Sequence, residues 1–139
     1  MRQILLFAAL AASLALLAGC TLSKTKKDAE DMSDKVAYHK ISAEEAYEMM
    51  ASQKVMVVDV RTREEYDGGH IENAVLVPNE SIGNEMPEAL PDKEATLLVY
   101  CRSGRRSKDA AQKLLALGYQ SVYDFGGVID WPYELVKEG

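Results

Sequence analysis

The chain has 139 residues, is 47% hydrophobic and 27% charged, and carries a formal net charge of −6. That is enough for one globular domain, and the composition is not that of a disordered chain. The acidic balance argues against nucleic acid as a partner, because phosphate backbones need lysine and arginine clustered on a broad face.

The first twenty residues, "MRQILLFAALAASLALLAGC", stand apart. One positive charge at Arg2 precedes an apolar stretch and then small residues, the pattern of a secretory leader, which is set aside from fold reasoning. Ile4 to Ala18 is 15 residues, short of the roughly 20 that a spanning helix needs, so a transmembrane anchor is the weaker reading. The end of the leader, Leu17-Ala18-Gly19-Cys20, resembles the lipobox of bacterial lipoproteins. The resemblance implies a signal segment over 1–19, acylation of Cys20, and an extracytoplasmic chain anchored by lipid to a bacterial membrane, on its periplasmic face or at the cell surface. Residues 20–35 are mostly polar after Cys20 and read as a tether; residues 36–139 are the folded body.

If Cys20 is acylated, Cys101 is left as a lone thiol, and no intramolecular disulfide can form even in an oxidising compartment. A lone cysteine is either a small buried hydrophobe or a reactive group.

In the body, "SAEEAYEMMA" opens a helix with Ser42 and Glu45 three residues later, a capping box. "VMVVDV", residues 55–60, is a β-branched, nearly continuous apolar run, suited to a strand buried on both faces. Thr62 and Glu65 repeat the capping box for a short helix. "AVLVP" is a short strand ended by Pro78, and "ATLLVYC", residues 95–101, a longer one. Ala110, Ala111, Leu114, Leu115 and Leu117 then recur at helical spacing from a start near Ser107, and Gly118 stops the helix. "SVYDF" is a last strand, followed by Gly126-Gly127 and a terminal helix around Trp131 to Val136. This alternation predicts an α/β fold, a parallel sheet with helices on both faces, whose ligands bind beyond the carboxyl ends of the strands. Cys101 stands at such an end.

The segment "CRSGRRS" crosses that strand-to-helix junction. Gly104 permits close approach of backbone N–H groups, and the helix that follows points its positive end back at the loop. With Arg102, Arg105 and Arg106 nearby, this setting favours a thiolate at Cys101 and an anion beside it. Cysteine phosphatases, arsenate reductases included, also cradle an anion beside a thiolate, but their loop places an arginine six positions after the cysteine. Here that position is Ser107, so the loop is one residue too short.

Three segments in order, "VVDVRTREEYDGGHIENAVLVPN" (57–79), "YCRSGRRS" and "FGGVIDW", resemble the signatures of the rhodanese-like domain, a sulfurtransferase family. The resemblance implies a sheet of about five strands and a persulfide on Cys101. It further implies an anionic sulfur donor such as thiosulfate, bound by Arg102, Ser103, Gly104, Arg105 and Arg106, and a thiol or cyanide acceptor, including a protein thiol. Arg106 takes the family's loop position just before the helix and is the best anion clamp, whereas Arg102 and Arg105 either line the entrance or face solvent. Asp59 and Arg61 end a buried strand and brace the loop through an ion pair. The family pattern around His70 implies a structural histidine satisfied by backbone rather than a general base. Gly126 and Gly127 serve close backbone packing, and Trp131 is core or pocket wall. No metal site is indicated, because neither His39 nor His70 stands in ligand spacing with cysteine or carboxylates; no cofactor is implied. A rival reading keeps the fold but makes the chain a sulfur carrier or partner-binding module.

Overall fold

Five parallel strands make the sheet, which runs from edge to edge as His39–Lys40, Ser121–Gly127, Thr96–Cys101, Met56–Asp59 and Val75–Leu76. They are described in a computed structural model covering residues 38–138. The leader, Cys20 and the tether lie outside the described residues.

In chain order the elements are β1 (His39–Lys40), α1 (Ala43–Ser52), β2 (Met56–Asp59), α2 (Arg63–Asp67), β3 (Val75–Leu76), β4 (Thr96–Cys101), α3 (Arg105–Ala116) and β5 (Ser121–Gly127). Short 3-10 turns span Asn79–Ser81 and Val128–Asp130. Both capping boxes form. Ser42 accepts from the Glu45 N–H and Thr62 from the Glu65 N–H, while each glutamate reaches back to the cap residue's own N–H. The third helix ends in a Schellman motif. Gly118, at φ 95°, turns the chain so that its N–H donates to Leu115 O and that of Tyr119 to Leu114 O.

Because strand side chains alternate, β2 and β4 feed two cores. Val58, Leu97, Val99 and Cys101 face α3, against Ala110, Ala111 and Leu114. Val57, Leu98 and Tyr100 face the opposite side, with Ala46 of α1 and Tyr66 of α2. Helices therefore cover both faces, and Cys101 belongs to the α3 side.

Two differences from the sequence reading stand out. Helix α3 starts at Arg105, not near Ser107, because Gly104 adopts the left-handed conformation at φ 100° and begins the helical turn early. No helix forms over Trp131 to Val136. Pro132 disfavours helical geometry at Trp131, and the segment left is too short to sustain a helix without a packed face. It runs instead as a strap whose Val136 exchanges backbone hydrogen bonds with His70, at 2.9 and 2.8 Å.

Candidate active site

Cys101 ends β4, and its side chain is 1% exposed. Beyond it Arg102-Ser103-Gly104 turns the chain into α3, and the Gly104 N–H donates to Cys101 Sγ at 3.0 Å. Burial alone pushes the Cys101 thiol up, but the Ser107 N–H and hydroxyl and the Gly104 and Ser103 N–H groups outweigh it, so the thiol lies below its ordinary value. These amides and the hydroxyl contribute more than any guanidinium does, so the ring around the sulfur is mainly backbone.

The loop is built against β5. A bulge between Val99 and Tyr100 sets Gly127 directly beside Cys101 in the ladder, with Phe125 unpaired. A β-carbon on Gly127 would lie 2.2 Å from Arg102 O and 2.7 Å from Ser103 Cα, a distance no side chain tolerates. The Ile129 N–H closes the loop from beneath by donating to Arg102 O at 3.2 Å.

The arginines divide into two kinds. Arg102 and Arg105 are exposed, and neither guanidinium forms an ion pair among the described residues. Arg106 is held, Nη1 to Glu65 Oε2 at 2.8 Å and Nη2 to Glu65 Oε1 at 2.9 Å. The residue read as the anion clamp is thus already bidentate on a carboxylate, although its charge is still felt at Cys101. The Arg106 hydrogen bonds hold the Glu65 carboxyl down at about 2.

Asp59 and Arg61 do form a buried ion pair, with Nη2 to Oδ2 at 2.6 Å. Their brace reaches a different loop. Arg61 donates to Gly69 O at 2.8 Å, and the Tyr100 hydroxyl donates to Asp59 at 2.6 Å while accepting from Ile71 N at 3.1 Å. The network ties the turn before β3 to Tyr100, the residue that precedes Cys101. His70 is buried, its Nδ1 2.9 Å from Tyr66 O and its ring stacked on Tyr66. Trp131 packs against Phe125 and lines a cavity of about 860 Å³ with Tyr47, Met50, Val57 and Tyr133. That cavity lies on the α1 face, away from the sulfur, and a small anion at Cys101 has no need of it.

Sequence reasoning missed three residues here. Glu65 was assigned to its helix cap and to the family signature, with no role at the site. Asp124, an acid inside an apolar strand, was a visible signal. Ser107 served only to count loop length and to mark the helix start, yet its hydroxyl bonds Asp124 Oδ1 at 2.7 Å and favours the charged form of Cys101.

A parallel sheet that presents a cysteine thiol among backbone amides at its carboxyl edge defines a thiol-centred α/β domain. A family model described as a rhodanese-like domain matches residues 42–132, and the chain belongs to that family. Among solved structures it is similar to a rhodanese from E. coli with anions, at 34% identity and TM-score 0.56, covering 61% of this chain and 100% of that one. It is also similar to a human single-domain sulfurtransferase, at 27% identity and TM-score 0.60, covering 66% and 93%. A rhodanese-like domain protein from Staphylococcus aureus gives 32% and 0.63, covering 73% and 99%. Among curated proteins it is 31% identical over 106 residues to the tRNA uridine(34) hydroxylase of Yersinia pestis (strain Pestoides F). That match takes in 73% of this chain but only 30% of the relative's length.

Proposed function

We propose that the chain is a sulfurtransferase that moves a sulfane sulfur through a persulfide on Cys101. The observation that carries this is the Cys101 thiol, held below its ordinary value with Gly104 N 3.0 Å from Sγ. In the first half-reaction the thiolate attacks the outer sulfur of an anionic donor such as thiosulfate. A new S–S bond forms to Cys101 as the donor's S–S bond breaks, and sulfite leaves with the bonding pair. In the second, cyanide or a thiolate, free or on a protein, attacks the outer sulfur of the persulfide. Thiocyanate or a new persulfide departs, and Cys101 regains its charge. Both steps balance without a cofactor.

Arg102 and Arg105, exposed and without an ion pair among the described residues, are the groups best able to attract the donor. The N–H donors of Ser103 and Gly104 and the Ser107 N–H stabilise negative charge on sulfur in the thiolate and in the persulfide. Arg106, fixed by Glu65, adds positive field without collapsing onto the thiolate.

The tRNA-modifying activity in the curated relative's name is not carried over. The chain spans 30% of that protein, and an acidic chain whose exposed arginines at this site sit on one small loop fits a small anion better than RNA. We also propose that Cys20 is acylated and holds the domain at the extracytoplasmic face of a membrane through residues 20–35. Palmitate labelling that disappears in Cys20→Ala tests this.

For the main reading, the protein is incubated with thiosulfate and cyanide and thiocyanate is followed. Turnover that vanishes in Cys101→Ser, with Cys101 one sulfur atom heavier after thiosulfate alone, supports it. A thiol that gains sulfur yet never yields it to cyanide points instead to a carrier module.

A further inference from the structure

Behind the nucleophile lies a carboxylate that the transfer chemistry does not use. Asp124 of β5 is 1% exposed. Its Oδ2 accepts from the Tyr38 hydroxyl at 2.6 Å, and its Oδ1 accepts from the Gly126 N–H at 2.8 Å and from Ser107 Oγ at 2.7 Å. Lys40 Nζ stands 3.5 Å from Oδ1 on the solvent side. This ion pair is longer and more exposed than the buried one that Arg61 makes with Asp59.

Ser107 is the link between this carboxylate and the sulfur. Its oxygen has three acceptors around it, Asp124 Oδ1 at 2.7 Å, Gly104 O at 3.0 Å and Gly126 O at 3.3 Å; the same Gly104 donates its N–H to Cys101 Sγ at 3.0 Å, and the Ser107 hydroxyl also favours the charged form of that sulfur. A serine hydroxyl carries one hydrogen. A bond to a charged acceptor is about twice as strong as one to a neutral carbonyl, so the two anions, carboxylate and thiolate, are the real competitors.

We propose that Asp124 is a positioning residue for Cys101, competing with the thiolate for the single hydroxyl hydrogen of Ser107. With Asp124 ionised, the hydrogen is drawn towards β5, and the thiolate rests mainly on backbone N–H groups. Its charge stays less delocalised and more available for attack. With the Asp124 charge removed, the hydroxyl turns to Sγ, and the thiolate becomes easier to form but a weaker nucleophile, since thiolate reactivity falls with basicity. Tyr38 modulates the contest from the far side, because its hydrogen bond draws charge to Oδ2. The groups facing the pair are Tyr38 and Lys40 of the β1 segment around Asp124, and Arg106 of α3 near Cys101. The inference rests on the proposed function only in taking Cys101 as the nucleophile.

The test reads the thiol and not turnover, so its failure and that of the sulfurtransferase reading are separate. Alkylation of Cys101 by iodoacetamide is followed against pH in the full chain, by mass spectrometry of the Cys101 peptide, which distinguishes it from Cys20. In Asp124→Asn the midpoint moves to lower pH, and the rate above both midpoints falls about two- to three-fold. In Tyr38→Phe, which leaves Asp124 charged and with one donor fewer, both move the other way. In Ser107→Ala the Asp124→Asn effect shrinks by at least half. An Asp124→Asn shift of the same size with and without Ser107→Ala overturns the proposal, leaving only a through-space charge effect. No shift in folded Asp124→Asn, or a Tyr38→Phe shift in the same direction as Asp124→Asn, overturns it as well. If Asp124→Asn does not fold, the direction of the Tyr38→Phe shift decides.

Discussion

The Arg106 guanidinium and the Glu65 carboxylate meet face to face, Nη1 to Oε2 at 2.8 Å and Nη2 to Oε1 at 2.9 Å, across 41 residues of sequence. The contact ties the first turn of α3, which follows directly on the Gly104 N–H donor to Cys101, to the first turn of α2. The same Glu65 caps α2 by accepting from the Thr62 N–H at 3.1 Å. One carboxylate therefore fixes two helix starts and keeps an arginine from closing over Cys101.

Replacing Glu65 by Gln keeps the cap and loses the charge. The pair is about a quarter exposed, so the expected cost is about 1 kcal/mol in urea unfolding at pH 7, between a surface pair and a buried one. The carboxyl is depressed to about 2 from 4.5 in the folded chain. Its contribution is thus complete above the unfolded value and fades as pH falls through about 2. The stability of Glu65→Gln should accordingly lose less than the parent between pH 4.5 and 2. Freed of its counter-charge, Arg106 should also raise the rate of iodoacetate relative to neutral iodoacetamide at Cys101. An unchanged ratio would show that Arg106 does not sense the sulfur.

Gly127 gives a sharper steric test. Any β-carbon there meets the backbone of Arg102 and Ser103, and backbone cannot rotate away. Gly127→Ala should cost about 3 kcal/mol, or displace the loop and slow alkylation of Cys101. Gly83→Ala, where nothing lies within 4 Å, is the matched control and should leave both quantities near the parent's. Equal behaviour of the two variants would remove the case that β5 backs the loop.

The contrast between these two pairs explains what sequence alone makes legible. Helix caps, apolar strand runs and the Gly118 stop are local, and each appears where its residues stand. The family signatures, too, lie along the chain, and they led to the right fold. Strand β1, two residues long, has no periodicity to read. The terminal strap was taken for a helix because the pull of His70 on Val136 comes from 66 residues away. In the site, Cys101 and its loop were visible, but the contacts of Ser107 with Asp124 and of Arg106 with Glu65 depend on the sheet order β5-β4-β2, which brings together residues 17 and 41 positions apart.

Asp59 and Arg61 supply a third prediction. Both are buried and hydrogen-bonded to one another. Asp59→Ala strands the guanidinium, and removing one partner of a buried pair costs roughly 3–5 kcal/mol. Adding Arg61→Met should recover a substantial part of that loss, because the uncompensated charge disappears with it. Urea unfolding of the single and double variants measures the difference; a double variant no more stable than Asp59→Ala would mean that Tyr100 and the Gly69–Ile71 turn, rather than the charge, carry the cost.

The last prediction concerns Cys101 itself. Its thiol is held below the ordinary value in the folded chain, although burial opposes this, whereas in the unfolded chain it reverts to about 8.5. A depressed acid of this kind adds stability that is complete above the unfolded value and disappears as pH falls through the folded one. The urea midpoint of the parent should therefore rise relative to that of Cys101→Ser as pH is increased through the folded value, and the gap should stop widening above about 8.5. The serine hydroxyl stays neutral throughout, so it reports every other titration in common. Parallel curves would mean that the N–H donors of Ser103, Gly104 and Ser107 do not favour the thiolate, and the chemical basis for persulfide transfer at this site would fall with them.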